Sequence, residues 1–177
     1  MKKTAVVLMI IALFSLPAFA EEKAPYTDKI AVGVDVLKGK ASMRFWQGSG
    51  FAVEGYAGIS YFDETRLSLG GGVAIPLFNV SDVYGNFICG AGFGLRTDSE
   101  TNYSLMEISA GVSVGVEFEV FLTPLSKNLS IASAVGMTAG MIKSDEKIFD
   151  DFESTTDFYF GLADSTSVSS LIIRYYF

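Results

Sequence analysis

Between Met106 and Val120 the chain alternates without a break. Met106, Ile108, Ala110, Val112, Val114, Val116, Phe118 and Val120 are apolar, whereas Glu107, Ser109, Gly111, Ser113, Gly115, Glu117 and Glu119 carry no large apolar group. Successive side chains of a strand point to opposite faces, so this period of two predicts a long strand with one greasy face and one small or charged face. The same alternation recurs over residues 30–37, 41–46, 51–61, 66–77, 86–96, 129–141 and 170–177, which together predicts eight strands. Pro76 falls at a strand end and Pro124 in a turn, where a missing N–H is tolerated. Residues 145–165 fit the alternation least and are read as a loop.

The non-greasy face decides which barrel this is. It is built mainly from Gly, Ala and Ser with occasional Asp, Glu and Arg, whereas a face washed by solvent carries more Lys, Thr and Gln. Small groups suit the crowded interior of an eight-stranded barrel, and an apolar exterior suits lipid. The expected fold is therefore all-β, an eight-stranded antiparallel transmembrane up-and-down β-barrel. The rival is a soluble, exported, lipocalin-like barrel with the opposite faces inside. Connections of 47–50, 79–83 and 123–128 on one side are short, and those of 38–40, 63–65, 97–102 and 143–167 on the other include the longest, the asymmetry of outer-membrane barrels. Phe45, Trp46, Phe51, Phe78, Phe118, Phe121, Tyr175 and Phe177 gather at the side of the short turns, where a lipid–water interface would favour them.

The start of the chain agrees. Met1-Lys2-Lys3 is basic, residues 5–16 are apolar, and Pro17-Ala18-Phe19-Ala20 ends in an A-x-A pattern. This is the layout of a secretory signal peptide, cleaved after Ala20 and too short to span a bilayer. Two segments follow: a signal peptide at 1–20 and a barrel domain at 21–177. Removing the first leaves 11 basic and 20 acidic residues, a net charge of −9.

Composition then excludes several chemistries. The 177-residue chain has no His and one Cys, Cys89. Imidazole metal sites, Ser-His and Cys-His nucleophiles and disulfides within the chain are ruled out. The acidic balance argues against nucleic acid as a partner.

The last residues, Ser170-Leu171-Ile172-Ile173-Arg174-Tyr175-Tyr176-Phe177, alternate and end on an aromatic. This resembles the C-terminal strand of bacterial outer-membrane barrels. With the leader, the whole mature chain is similar to the small OmpA/OmpX-type barrels. The resemblance implies location in the outer membrane of a Gram-negative-type bacterium, contact with outer-membrane lipid, and insertion by the barrel-assembly machinery, with Ile173, Tyr175 and Phe177 as the signal it reads. Nothing resembles an appended wall-binding domain.

Charges on the inner face need partners, so Asp35, Arg44, Glu54, Arg66, Arg96, Glu107, Glu117, Glu119 and Arg174 are expected to form a polar network in the lumen. The outer loop offers a second group, Asp145, Glu146, Asp150, Asp151, Glu153 and Asp157, set among Phe149, Phe152, Phe158, Tyr159 and Phe160. It reads as a solvated acidic loop with a capacity to contact a surface ligand or hold calcium weakly, and it does not match an EF-hand. Gly90, Gly92 and Gly94 lie inside a strand with no helix after them, so they read as lumen glycines rather than a phosphate loop. The expected function is non-enzymatic, in envelope integrity or surface contact, with no cofactor, metal or catalytic residue. The alternatives are a narrow channel lined by Glu54, Glu117, Arg66 and Arg174, and a lipid-modifying enzyme working through Glu117 and Glu119.

Overall fold

A computed structural model describes residues 28–48, 50–60, 65–100, 103–149, 151–162 and 170–177. The leader at 1–20 and the residue Asp150 lie outside the described residues. The described chain is all-β, a single antiparallel sheet of nine strands closed in a ring. The strands are β1 (Ile30–Asp35), β2 (Lys40–Gln47), β3 (Phe51–Ser60), β4 (Thr65–Val80), β5 (Val83–Glu100), β6 (Tyr103–Phe121), β7 (Leu129–Ile148), β8 (Asp151–Leu162) and β9 (Ser170–Tyr176).

Nine strands fill eight positions. Each of β1 to β7 pairs with the next, and β9 pairs with both β7 and β1 to close the circuit. β8 lies on the same side of β7 as β9 does, but higher: β9 covers Leu129 to Ala134, and β8 covers Met137 to Ile148. The expected loop at 145–165 is thus corrected. Its described residues extend β7 to Ile148 and form β8 from Asp151 to Leu162, and Phe149 between them takes φ 53°. The expected outer connection at 97–102 is likewise shorter, because β5 runs on to Glu100. The weak alternation there fails to mark a strand because both faces of the extension meet solvent. A period of two is visible only where one face is buried.

The register fixes the geometry of the ring. From Leu129 the ladder passes through Tyr175, Val32, Met43, Gly55, Gly71, Ala91 and Val112, and returns to β7 at Ala139, ten residues further along. With a rise of about 3.3 Å per residue and about 4.8 Å between strands, this offset tilts the strands by about 40°. One β-bulge interrupts it, between Pro76 and Phe78. Beyond the bulge the faces exchange, so Leu77 is buried while Phe78 packs 6.3 Å from the exposed Phe118. Leu77 was expected to face outward with Ile75, and the extra residue at the bulge is what turns it in.

Elsewhere the faces follow the alternation. Val32, Val34, Met43, Val53, Val112, Val114, Val135 and Ile173 are exposed on the outside. Ala31, Ala52, Ala74, Ala132, Arg44, Glu117, Glu119 and Arg174 are buried inside. Two of the aromatics expected to face a lipid–water interface on the side of the short turns are corrected: Trp46 and Phe121 point inward and are buried. With Tyr84 and Tyr176 they form an apolar floor at the end of the ring that carries the described chain ends. Phe121 stacks 5.3 Å from both tyrosines. Glycines higher on the inner face leave room for tyrosines. A Cβ on Gly70 would collide with the Tyr56 ring, one on Gly92 would meet the Tyr56 hydroxyl at 2.5 Å, and one on Gly140 would meet the Tyr159 hydroxyl at 2.5 Å.

Candidate functional site

Directly above the aromatic floor lies a layer of ions. Arg44 on β2, Glu54 on β3, Glu117 and Glu119 on β6, and Arg174 on β9 converge from facing walls of the ring. The Arg44 guanidinium donates to Glu54 and, through Nη1 and Nη2, to both oxygens of Glu117 at 2.7 and 3.0 Å. Arg174 Nη2 donates to Glu117 at 2.8 Å and to Glu54 at 3.1 Å. Glu119 sits 3.7 Å from Arg44 and 3.6 Å from Arg174. Three carboxylates thus share two guanidiniums, which leaves one negative charge in excess. Neutral donors meet it: the Tyr176 hydroxyl at 2.8 Å and the Ser130 hydroxyl at 2.5 Å both donate to Glu119, and the Asn86 amide donates to Glu117 at 3.2 Å. The Arg44 guanidinium also stands 5.9 Å from the centre of the Trp46 ring, tying the ionic layer to the floor.

Burying these ions is costly unless each keeps partners, and the bidentate Arg44–Glu117 geometry is the kind that offsets the loss of water. The arrangement also explains where the inner-face charges come from in sequence. Arg44 and Glu54 face each other in register on consecutive strands, whereas Glu117 and Arg174 come from strands distant along the chain, and only the closed circuit brings them within bonding distance of that pair.

The remaining members of the expected network are placed elsewhere. Asp35 is buried at the end of β1, where its Oδ1 accepts the backbone N–H of Leu37 at 3.0 Å and of Lys38 at 3.2 Å. It fixes the β1–β2 turn, in which Gly39 takes φ 61°. Arg96 and Glu107 form a separate, half-exposed pair at 3.6 Å, opposite each other on β5 and β6. Arg66 is exposed on β4, in register with Arg96. One network of nine is therefore corrected to a central group of five and satellites. The tilt separates them, since residues on one face of different strands stand at different heights. Sequence reasoning missed Asn86, Ser130, Tyr176 and Trp46 as parts of the layer. Their positions on the inward parity were the available signal.

The acidic group sorts onto the two faces of the β7–β8 hairpin. Phe152, Phe158 and Phe160 share one face of β8, which continues the apolar exterior, and are all exposed. Asp151, Glu153 and Asp157 alternate with them, and Glu146 is in register with Glu153. Asp145 accepts hydrogen bonds from Ser154 Oγ at 2.6 Å and Lys143 Nζ at 3.2 Å, which hold its carboxyl below the ordinary range. Among the described residues no group of Cys, Asp and Glu converges as metal ligands. Ile173, Tyr175 and Phe177 line one outward face at the chain end, with the last two rings 5.1 Å apart.

Above the ionic layer a cavity of about 150 Å³ remains, bounded by Glu54 and Glu117 below and by Lys38, Lys40, Ser42 and Tyr56 at the level of the β1–β2 turn. Cys89 is a free, half-buried thiol whose backbone adjoins it. Comparison with family models, with curated proteins and with solved structures gives no match.

Proposed function

We propose that this chain is a non-enzymatic outer-membrane β-barrel that serves envelope integrity or surface contact, the latter through its acidic, aromatic β7–β8 hairpin. The observation that carries the reading is the inversion of faces. Arg44, Glu117, Glu119 and Arg174 are buried, while Val112 is 59%, Val135 56% and Met43 60% exposed. In water that arrangement is unfavourable twice over, since apolar surface stays wet and ions lose their hydration. In a bilayer the exterior is matched, and the interior ions have each other.

The dimensions agree. From Phe51 and Tyr175 at one end to Leu67 and Phe93 at the other, the outward apolar positions extend over about 25 Å along the axis, the height of the apolar band in such barrels. Phe45, Phe51, Phe118, Tyr175 and Phe177 mark its lower edge, and Phe93, Phe158 and Phe160 its upper one, as aromatic belts at two interfaces. The outward row of Ile173, Tyr175 and Phe177 suits a terminal signal for the assembly machinery, and the leader at 1–20 suits export to that membrane.

The interior supports a filled barrel rather than a channel, because the aromatic floor and the ionic layer occupy its cross-section. Planar-bilayer recording is expected to give no discrete openings. The primary test is gel mobility of the purified chain in detergent with and without boiling, where a closed barrel shifts between the two samples. A mature chain that stays dissolved as a monomer in plain buffer overturns the reading.

A further inference from the structure

The circuit closes along the line where its first and last strands meet. β1 and β9 pair only from Ala31 to Asp35, against Ile172 to Tyr176, the shortest ladder among the described residues. One backbone bond continues it at each end, from the Val36 N–H to the Leu171 carbonyl and from the Phe177 N–H to the Ile30 carbonyl. β5 and β6, by contrast, pair along the whole of β5, from Val83 to Glu100. No turn joins β1 to β9. Their ladder brings together positions as far apart in the chain as Gly33 and Arg174, so parting it gives back the closure entropy of the longest loop.

On the inside, the Arg174 side chain lies across this seam. Arg174 is in register with Gly33 of β1, and the Cβ that Gly33 lacks would meet Arg174 Cγ at 2.9 Å. The arginine stem therefore crosses β1 in the space that the glycine leaves. Cγ sits close to the backbone and cannot swing aside without taking the guanidinium with it. Beyond β1 and β2, Nη2 donates to Glu54 on β3 at 3.1 Å, and in the other direction round the ring it donates to Glu117 on β6 at 2.8 Å. One head group thus ties strands on both sides of the seam. The remaining inward residues of the two strands make no such tie. Ala31, Gly33 and Ile172 have no polar side chain, Asp35 accepts from its own turn, and Tyr176 donates to Glu119 on the β9 side. Arg44 of β2 supplies the returning bond, to Glu117 at 2.7 Å. The cavity above the ionic layer adjoins the same line, since Asp35 of β1 and Ser170 and Ile172 of β9 border it.

We propose that the β1–β9 seam is the place where the ring opens, and that Arg174, seated over Gly33, is the bolt that holds it shut from the inside. Local opening begins where the fewest buried contacts and backbone bonds must break. Once the Arg174 head leaves Glu54, the short ladder and the bond from Arg44 to Glu117 are what remain across the line. Parting the ladder between Asp35 and Ile172 joins the interior cavity to whatever surrounds the ring. Glycine at position 33 then serves the passage of a side chain rather than a turn. The inference stands on the closed ring alone and does not need the membrane reading.

The test is amide exchange, resolved by residue, on the full mature chain refolded in a neutral detergent. The seam is read at Val32, Val34, Ile173 and Tyr175, whose amides share the parity of the seam donors Val36 and Phe177, and β5 and β6 serve as the reference. Arg174→Met is expected to speed exchange at the seam by about tenfold or more, the worth of one lost bond to a charged group, and to leave the reference within about twofold. Gly33→Ala keeps every ion and only displaces the stem, so it is expected to speed the same amides by about threefold. Equal acceleration in β5 and β6 would mean that the ionic layer holds the whole ring alike. Unchanged exchange at the seam would mean that Arg174 does not hold it. Either result overturns the proposal, and a Gly33→Ala chain that exchanges like the unaltered one overturns the seating over Gly33. Should Arg174→Met lose its boiling-dependent gel shift, Glu54→Gln takes its place. It weakens the tie across the seam while leaving Glu117 to both arginines, and the same selectivity for β1 and β9 is expected.

Discussion

The lower and upper halves of β7 run through two different worlds. From Leu129 to Ala134 the strand has β6 on one side, β9 on the other and a facing wall across the interior. Ser130, Ala132 and Ala134 are buried there while Ile131 and Val135 face outward. From Met141 to Ile148 the ladder is equally complete, with β6 and β8 as neighbours, yet among the described residues nothing faces it across the interior and no side chain on it is buried. Hydrogen-bonded neighbours are therefore not what makes an inside. The opposite wall does, because only a closed circuit removes both faces of an inward side chain from water. The lower half holds ions in fixed geometry; the upper half presents rows of Phe and carboxylate on its two open faces.

That contrast can be broken at its strongest point. Replacing Glu117 by Leu leaves Glu54 and Glu119 to balance Arg44 and Arg174 in charge, but it removes the acceptor of three guanidinium hydrogen bonds, and breaking a buried, hydrogen-bonded ion pair from one side costs about 3–5 kcal/mol. Urea titration followed by the boiling-dependent gel shift is expected to show that loss, and an unchanged midpoint would mean that the layer does not hold the ring together. Filling the space beneath Tyr56 should cost less. Gly92→Val pushes against the tyrosine hydroxyl and is expected to destabilise by about 1–3 kcal/mol, partly relieved when paired with Tyr56→Phe.

In the upper hairpin the effects shrink. Phe152→Ser, or removal of residues 148–151 at its tip, should leave ring stability within about 0.5 kcal/mol, as for a surface position, and a variant that fails to fold would contradict the comparison. Glu146 and Glu153 repel each other across the hairpin, so Glu153→Lys should stabilise the upper ladder by about 0.2–1 kcal/mol, visible as slower amide exchange in β8 and unchanged exchange in β9. The smallest effect belongs to Asp145. Its carboxyl is held below the ordinary range, so its contribution is complete above the unfolded value and fades as pH falls through the folded one. Asp145→Asn should therefore speed exchange near Ser154 at neutral pH and make no difference in strong acid.

How far the fold could be read from the chain depended on where burial was one-sided. Met106 to Val120 announced β6 because its two faces meet different media. Residues 145–165 hid two strands because theirs do not. Leu77 was misplaced because a bulge changes the parity without a mark in the alternation. Trp46 and Phe121 were misplaced because an aromatic at a strand end suits either a lipid interface or the interior floor, and only parity, which places both inward, distinguishes the two. The charged residues were recognised as inward groups, but their sorting into a central layer and satellites was not, because height in a tilted ring depends on the register of every strand between them.

The order of residues by itself determined the period of two, the greasy and the small-or-charged faces, and the identity of the ions that had to be sealed, since these follow from side-chain chemistry and local backbone geometry alone. Only the tertiary structure decided that nine strands share eight positions, that the circuit closes ten residues out of step, and that Arg44, Arg174 and Glu117 meet while Arg96 and Glu107 stand apart. Closure is a property of all the pairings at once, and a contact across the interior exists only after the last of them has formed.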